Sequence, residues 1–304
     1  MTKKLKAAGL LLFIVCAGAG NVEVSAMCKE TRETSRMLAD YNLAENLGAC
    51  TGLENAELLK TVGGAFVETN VGFLMPEASD DEFAANLAKA RTCPLPIKCA
   101  NSFYPGSIKL VGPDVDTERV LRYAEKAFER AEQVGIEIIV LGSGDARRIP
   151  EGFSRAAARQ QFIDLMKTMA PLAKKHGVTI VLEPLYGKAS NFINSVREGT
   201  IIAREVGHPN VCVLADFFHM TQEGEGPDAI IDAGATLRHC HIAENDERTP
   251  PGVKGDDFRP FFEALESINY QGRLSIESNW PGGFDALIGN AMDTMKEQIQ
   301  TSGK

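Results

Sequence analysis

The chain has little of what several function classes demand. Lysine and arginine number 32 against 41 aspartates and glutamates, a formal charge of −9. No nucleic-acid partner is expected, because polyanion binding rests on clustered cations. A small, neutral or weakly charged ligand fits better. No apolar run reaches the about 20 residues that a membrane span requires, so no transmembrane span is expected. The seven cysteines include no C-x-x-C pair, and no G-x-G-x-x-G follows the first strand-like run, which counts against a dinucleotide site. Neither low-complexity segments nor short repeats stand out.

The N-terminus has a different character. Lys3, Lys4 and Lys6 precede an uncharged apolar stretch from Ala7 to Gly20, and Ala17-Gly18-Ala19 or Val24-Ser25-Ala26 would suit a signal peptidase. Residues 1–26 therefore read as a signal peptide, and the mature protein is expected to be exported, to the periplasm. Cys16 is an alternative lipid-attachment point, although Val15 before it is neither Gly nor Ala. Residues 27–46 read as a polar lead-in. Of the remaining cysteines, Cys50, Cys212 and Cys240 fall in strand-like runs, where cysteine serves as a small hydrophobe. Cys93 and Cys99 form the plausible local disulfide.

From Leu47 onward the pattern becomes regular. Apolar, β-rich runs are expected as strands at Leu47–Thr51, Ala65–Asn70, Ile97–Ser102, Ile136–Leu141, Val178–Glu183, Val211–Asp216, Leu237–Ala243 and Leu274–Glu277. Helical periodicity fills the intervals: Val120, Leu121, Ala124, Ala127, Phe128 and Ala131 recur at spacings of three and four between a cap at Asp116 or Thr117 and a stop at Gly135. A longer helix is expected over Ser154–His176. Shorter ones are expected at Asn55–Val62, Asp80–Ala90, Ser195–Val206, Pro227–Ala233, Asp257–Ile268 and Phe284–Gln300. Strict alternation of eight such units favours a single (β/α)8 barrel, an α/β fold over residues 47–304.

In such a barrel the C-terminal strand ends share one pocket. The last four supply Glu183 in V-L-E-P-L, Asp216 in V-L-A-D-F-F-H, His241 in H-C-H-I-A-E and Glu277 in S-I-E-S-N-W. Four ionisable groups closing apolar strands imply a cation among them, since an unpaired buried charge costs several kcal/mol. Three carboxylates and one imidazole suit one divalent ion: Mn²⁺, Mg²⁺ or Co²⁺, with Zn²⁺ also compatible. The alternative is that some of the four are loop residues or helix caps. His239, two residues before His241 on the same strand face, is expected deeper in the barrel as a supporting group.

These strand ends, with D-x-x-H at Asp216–His219 and H-x-H-x-x-E at His239–Glu244, resemble the xylose-isomerase-like barrel superfamily, especially its ketose 3-epimerase and inosose branch. The resemblance runs from about Leu47 to the C-terminus. It implies that Glu183, Asp216, His241 and Glu277 hold one divalent ion. Glu183 and Glu277 would also flank the sugar carbon that loses and regains a proton, making a metal-dependent isomerase or epimerase with a small carbohydrate substrate. It further assigns substrate contacts to His219, to Arg248 (four residues after Glu244, where the epimerase pattern has three) and to the loop carrying Glu244.

Trp280 follows the last strand and reads either as a sugar-stacking ring or as an apolar plug. Gly142-Ser143-Gly144-Asp145-Ala146-Arg147-Arg148 resembles a loop of uncharacterised members of the superfamily, its arginines reaching a ligand or simply solvated. One departure concerns the substrate. Where the epimerase pattern has an asparagine, an arginine and a second glutamate, this chain has Tyr186, Gly187 and Ala189, which favours a larger substrate such as a keto-glycoside. The same enediolate chemistry would also serve a lyase or hydratase. A non-catalytic sugar-binding barrel is a further alternative, while an apurinic-site nuclease of the same fold would need more than the five histidines present. Assembly as a homo-oligomer is left open.

Overall fold

Strand β4, Ile138–Leu141, and strand β6, Val211–Asp216, are buried at every position. Runs without polar alternation must be covered on both faces, which is the condition of a parallel sheet wrapped by helices. A computed structural model describes residues 41–303 and meets that condition. Its other strands are β1 Leu47–Cys50, β2 Phe66–Asn70, β3 Ile97–Asn101, β5 Thr179–Leu182, β7 Leu237–Ile242 and β8 Arg273–Ile276. They pair in parallel and in chain order, and β8 closes onto β1. The expected single-domain α/β barrel is therefore the fold. The signal peptide, Cys16, Cys28 and nearly all of the lead-in lie outside the described residues. Among the described residues, no helix is long and apolar enough to cross a membrane.

Nine α-helices are present among the described residues: α1 Ala56–Thr61, α2 Asp80–Arg91, α3 Thr117–Val134, α4 Arg155–Lys175, α5 Val196–Val206, α6 Phe217–Gln222, α7 Asp228–Ala233, α8 Arg259–Ser267 and α9 Phe284–Thr301. Helix α3 follows from its ends inward. The Asp116 carboxylate caps the Arg119 amide, and Gly135 leaves the helix at φ 91°, a conformation that costs glycine little. The face between them buries Val120, Ala124, Ala127, Phe128 and Ala131. Helix α6 is absent from the sequence-based expectations. Its six residues are too few to show a period, and it starts because the Asp216 side chain accepts from the Phe218 and His219 amides.

The barrel interior is layered by the period-two alternation of each strand. Phe66, Cys99, Val140, Val181 and Leu214 form part of an apolar inner cluster. Gly48 leaves room for it: a Cβ there would lie 2.6 Å from the Phe66 ring. Two residues further along, the same faces carry Asn101, Gly142, Glu183 and Asp216, and polarity replaces packing; on β2 the change comes one layer deeper, at Glu68, which is level with Cys99. Cys99 belongs to that inner cluster and is a free thiol, as is Cys93. The expected Cys93–Cys99 disulfide does not form, because the strand turns Cys99 into the barrel. Cys212 and Cys240 are buried as expected, whereas Cys50 is half-buried at the mouth.

Phe128 is fully buried, with its ring 5.5 Å from that of Phe103. Phe128→Ala is expected to lower the unfolding free energy by about 3–5 kcal/mol. Urea denaturation measures this, and a loss below about 1 kcal/mol would contradict the packing.

Candidate metal centre and active site

The register of neighbouring strands decides which side chains meet. Asp216 on β6 is level with His241 on β7, and His241 is level with Ser275, two residues before Glu277. Glu183 follows β5 directly, and its backbone amide donates to the Leu141 carbonyl. Barrel curvature then brings a ligand atom from each of Glu183, Asp216, His241 and Glu277 within 4.8 Å of the others. Asp216 and His241 are fully or almost fully buried, Glu183 nearly so, and the Glu277 side chain retains 23% exposure. Glu277 is thus the one of the four that keeps appreciable contact with solvent.

His241 is the pivot. Its Nδ1 lies 3.2 Å from Glu183 Oε1 and 3.0 Å from Glu277 Oε2, while Nε2 points the other way to Glu68 Oε1 at 2.9 Å. Burial opposes charging of the ring, yet Glu68 and Glu277 outweigh it and hold its pKa well above the ordinary histidine value. Glu183 is shifted upward by burial and then by the charge of Glu277. Glu277 goes the other way, to about 2: burial opposes this, but His241 and Arg248 prevail. Two carboxylates of one pocket thus differ in proton affinity.

The surrounding groups divide into those that face the pocket and those that hold it. Arg248 donates to Asp216 Oδ2 at 2.8 Å and to Glu277 Oε2 at 2.5 Å, and its guanidinium lies over the Phe218 ring at 4.9 Å. Its backbone, like that of Glu247, is left-handed, at φ 53° and 57°, a strain of roughly 1–2 kcal/mol per residue. Asn279 clamps this turn, donating to the Glu247 carbonyl and binding the Arg248 carbonyl through its amide. His219 is nearly buried, with Nε2 3.6 Å from Asp216 Oδ2 and its ring stacked on Tyr186. Trp280 is half-buried and packs edge-on against Phe284, joined to the core.

Glu244, expected to touch substrate, is instead sealed within its own loop. It is fully buried, accepting the amides of Gly252, Gly255 and Asp256 on Oε1 and the Lys254 amide and Thr249 hydroxyl on Oε2. A proline-rich loop short of internal backbone partners uses this carboxylate as its acceptor. Arg147 likewise departs from both expectations. Neither a ligand contact nor solvated, it is fully buried and donates to the Glu183 carbonyl at 2.6 Å. Arg148 is the exposed one of the pair.

A family model described as xylose isomerase-like TIM barrel matches residues 56–300. The chain belongs to this family. Within it, a 3-dehydro-D-guloside 4-epimerase of Escherichia coli (strain K12) is 29% identical over 192 residues, 60% of this chain and 72% of that protein. An L-ribulose 3-epimerase of Methylomonas sp. (strain DH-1) is 33% identical over 121 residues, 40% of this chain and 42% of that protein. The chain spans less than two thirds of the length of most of the curated relatives it matches. The crystal structure of a 3-keto-D-glucoside 4-epimerase from E. coli superposes with a TM-score of 0.69 at 23% identity, covering 84% of this chain and 99% of that one. The relatives are thus sugar epimerases and isomerases on a shared barrel.

Two residues of this family member's pocket escaped the sequence reading. Asn101, closing β3, donates to Glu277 Oε1 at 2.7 Å; it occupies the same strand-end position that singled out the other four. Glu68 was legible as a charge inside the apolar run A-F-V-E-T-N, a placement that demands a buried partner.

Gly142 is decisive for Glu183, because a Cβ there would sit 2.1 Å from Glu183 Oε2. Gly142→Ala is expected to fold and to weaken Mn²⁺ uptake several-fold in a binding titration. Uptake equal to that of the unchanged protein would show that the Glu183 carboxylate does not need this place.

Proposed function

We propose that the protein is a divalent-metal-dependent sugar isomerase or epimerase, working by proton transfer at a carbon next to a carbonyl. The observation that carries this reading is the convergence of Glu183, Asp216, His241 and Glu277, with ligand atoms within 4.8 Å of one another. The donor set fits a hard divalent cation, Mn²⁺, Mg²⁺ or Co²⁺, and Zn²⁺ is also compatible. Three carboxylates gathered out of water need positive charge between them, and His241 Nδ1 faces two of their oxygens. A bound ion supplies Lewis-acid polarisation of the substrate carbonyl and its neighbouring hydroxyl.

The chain's own residues supply the rest. Glu183 and Glu277 come from separate strand ends, so that one carboxylate removes the α-proton from one face of the substrate and the other delivers a proton to the opposite face. Asn101 and Arg248 hold one oxygen each of Glu277. Arg248 and His219 offer hydrogen-bonding groups for substrate hydroxyls.

A keto-glycoside or similarly enlarged keto-sugar is the substrate class we favour. Tyr186, Gly187 and Ala189 lack the charged groups that would grip the end of a free ketose, and an E. coli relative is named for action on a 3-dehydro-guloside. Glu183→Gln and Glu277→Gln are each expected to abolish exchange of a substrate carbon-bound proton with D₂O, in protein shown by elemental analysis to carry a divalent ion. Full deuterium wash-in by both variants would sink the mechanism. Product mass then separates epimerisation, which conserves it, from elimination, which releases water or an aglycone.

Export to the periplasm is proposed from the lysines and apolar stretch of residues 1–26, with lipid attachment at Cys16 as the alternative form. Expression of the full chain is expected to yield a mature N-terminus near Gly20 or Met27. An intact Met1 on the accumulated protein would overturn export.

A further inference from the structure

Directly beneath the candidate metal centre lies a second polar layer that proton transfer does not use. Glu68, inside β2, is fully buried. Its Oε1 accepts from His241 Nε2 at 2.9 Å, and its Oε2 accepts from His239 Nε2 at 2.7 Å and from the Ser275 hydroxyl at 2.6 Å. Three donors satisfy the carboxylate. Even so, apolar side chains of matching volume often fill such a place at equal or better stability, as Phe66, Val181 and Leu214 do nearby. The cost points to a task other than filling space.

The task follows from hydrogen-bond inventory. A neutral imidazole has one donor nitrogen and one acceptor nitrogen, and an ionised carboxylate only accepts. Both nitrogens of His241 face carboxylates, Nε2 toward Glu68 and Nδ1 toward Glu183 and Glu277; for Nδ1 to offer its lone pair to an ion among those carboxylates, the ring must keep its hydrogen on Nε2, where Glu68 accepts it. We propose that Glu68 is a positioning residue that locks His241 in the Nε2–H tautomer and presents Nδ1 to the divalent ion. His239 and Ser275 occupy Oε2, which leaves Oε1 to His241. The two imidazoles meet edge to face, at 83° and 5.1 Å, so the ring of His241 is braced in direction as well as in tautomer. Two further groupings of potential ligands, Cys50 with Glu68 and His241, and Glu68 with Cys99 and His239, share this one saturated carboxylate and belong to the same supporting layer.

The inference rests on the metal reading, and the test separates the two. Glu68→Gln preserves shape but sets an NH₂ against at least one N–H or O–H donor. In the full-length protein it is expected to weaken Mn²⁺ binding by about 10- to 100-fold in calorimetric titration. Phe128→Ala, in the helix layer outside the site, is expected to lower the melting temperature while keeping Mn²⁺ affinity. In the unaltered protein loaded with Zn²⁺, long-range ¹H–¹⁵N NMR is expected to show His241 protonated at Nε2. Equal loss of affinity in both variants, or none in Glu68→Gln, would reduce Glu68 to a structural group. A His241 bearing its proton on Nδ1 overturns the proposal without recourse to any variant. If the unaltered protein binds none of Mn²⁺, Mg²⁺, Co²⁺ and Zn²⁺, the metal reading and this inference fall together. If it binds Mn²⁺ and Glu68→Gln binds as tightly, the inference alone falls.

Discussion

Like charges held together out of water dominate this structure. Glu183, Asp216 and Glu277 bring carboxylate oxygens to within 4.8 Å around one imidazole. At an effective dielectric constant of about 20, each such pair repels by roughly 3–4 kcal/mol. Closing the barrel forces that encounter, since Leu182, Val213 and His241 are fixed by their ladders and the adjacent side chains have nowhere else to point. Groups of different kinds answer it from several directions. The cationic Arg248 reaches in from the β7–α8 loop, Glu68 steadies the imidazole from below, and the neutral amide of Asn101 donates to the far oxygen of Glu277.

The loops at the mouth are shaped by that demand. A guanidinium can be held between Asp216 and Glu277 only if its backbone is turned inward, and Glu247 and Arg248 adopt left-handed conformations to do so. The turn persists because neighbours over-determine it. Asn279 binds both carbonyls, and Glu244 collects four backbone amides from residues 252–256. On the opposite side Arg147 performs a comparable service for Glu183 by grasping its carbonyl. Buried polar groups at this end of the barrel are mostly spent on holding others still.

Below the mouth the barrel reverts to close packing. The change from polar to apolar occupants takes two residues along each strand: from Glu183 to Val181, from Asp216 to Leu214, from Asn101 to Cys99. At Glu68, His239 and Ser275 the polar zone extends one layer deeper, on the side of the barrel where His241 stands. The asymmetry matches the proposed site, whose single nitrogen donor, unlike a carboxylate, depends on which of its atoms carries hydrogen.

The sequence by itself determined the strands to within a residue or two, because runs such as I-E-I-I-V-L and V-C-V-L-A-D cannot leave either face in water. It also determined the four strand-end groups, since polar residues terminating apolar strands are a local signal. Tertiary structure decided everything that depends on distant partners. Glu244 is three residues from His241 in the chain, yet its carboxylate answers to amides further along its own loop; Cys99 sits six residues from Cys93, yet faces the barrel interior. Helix α6 exists because one aspartate caps it, and Glu68 serves a histidine 173 positions away. A side chain's burial can be read from its neighbours in sequence, whereas its partner is chosen by the register of strands around a closed barrel, which no local pattern encodes.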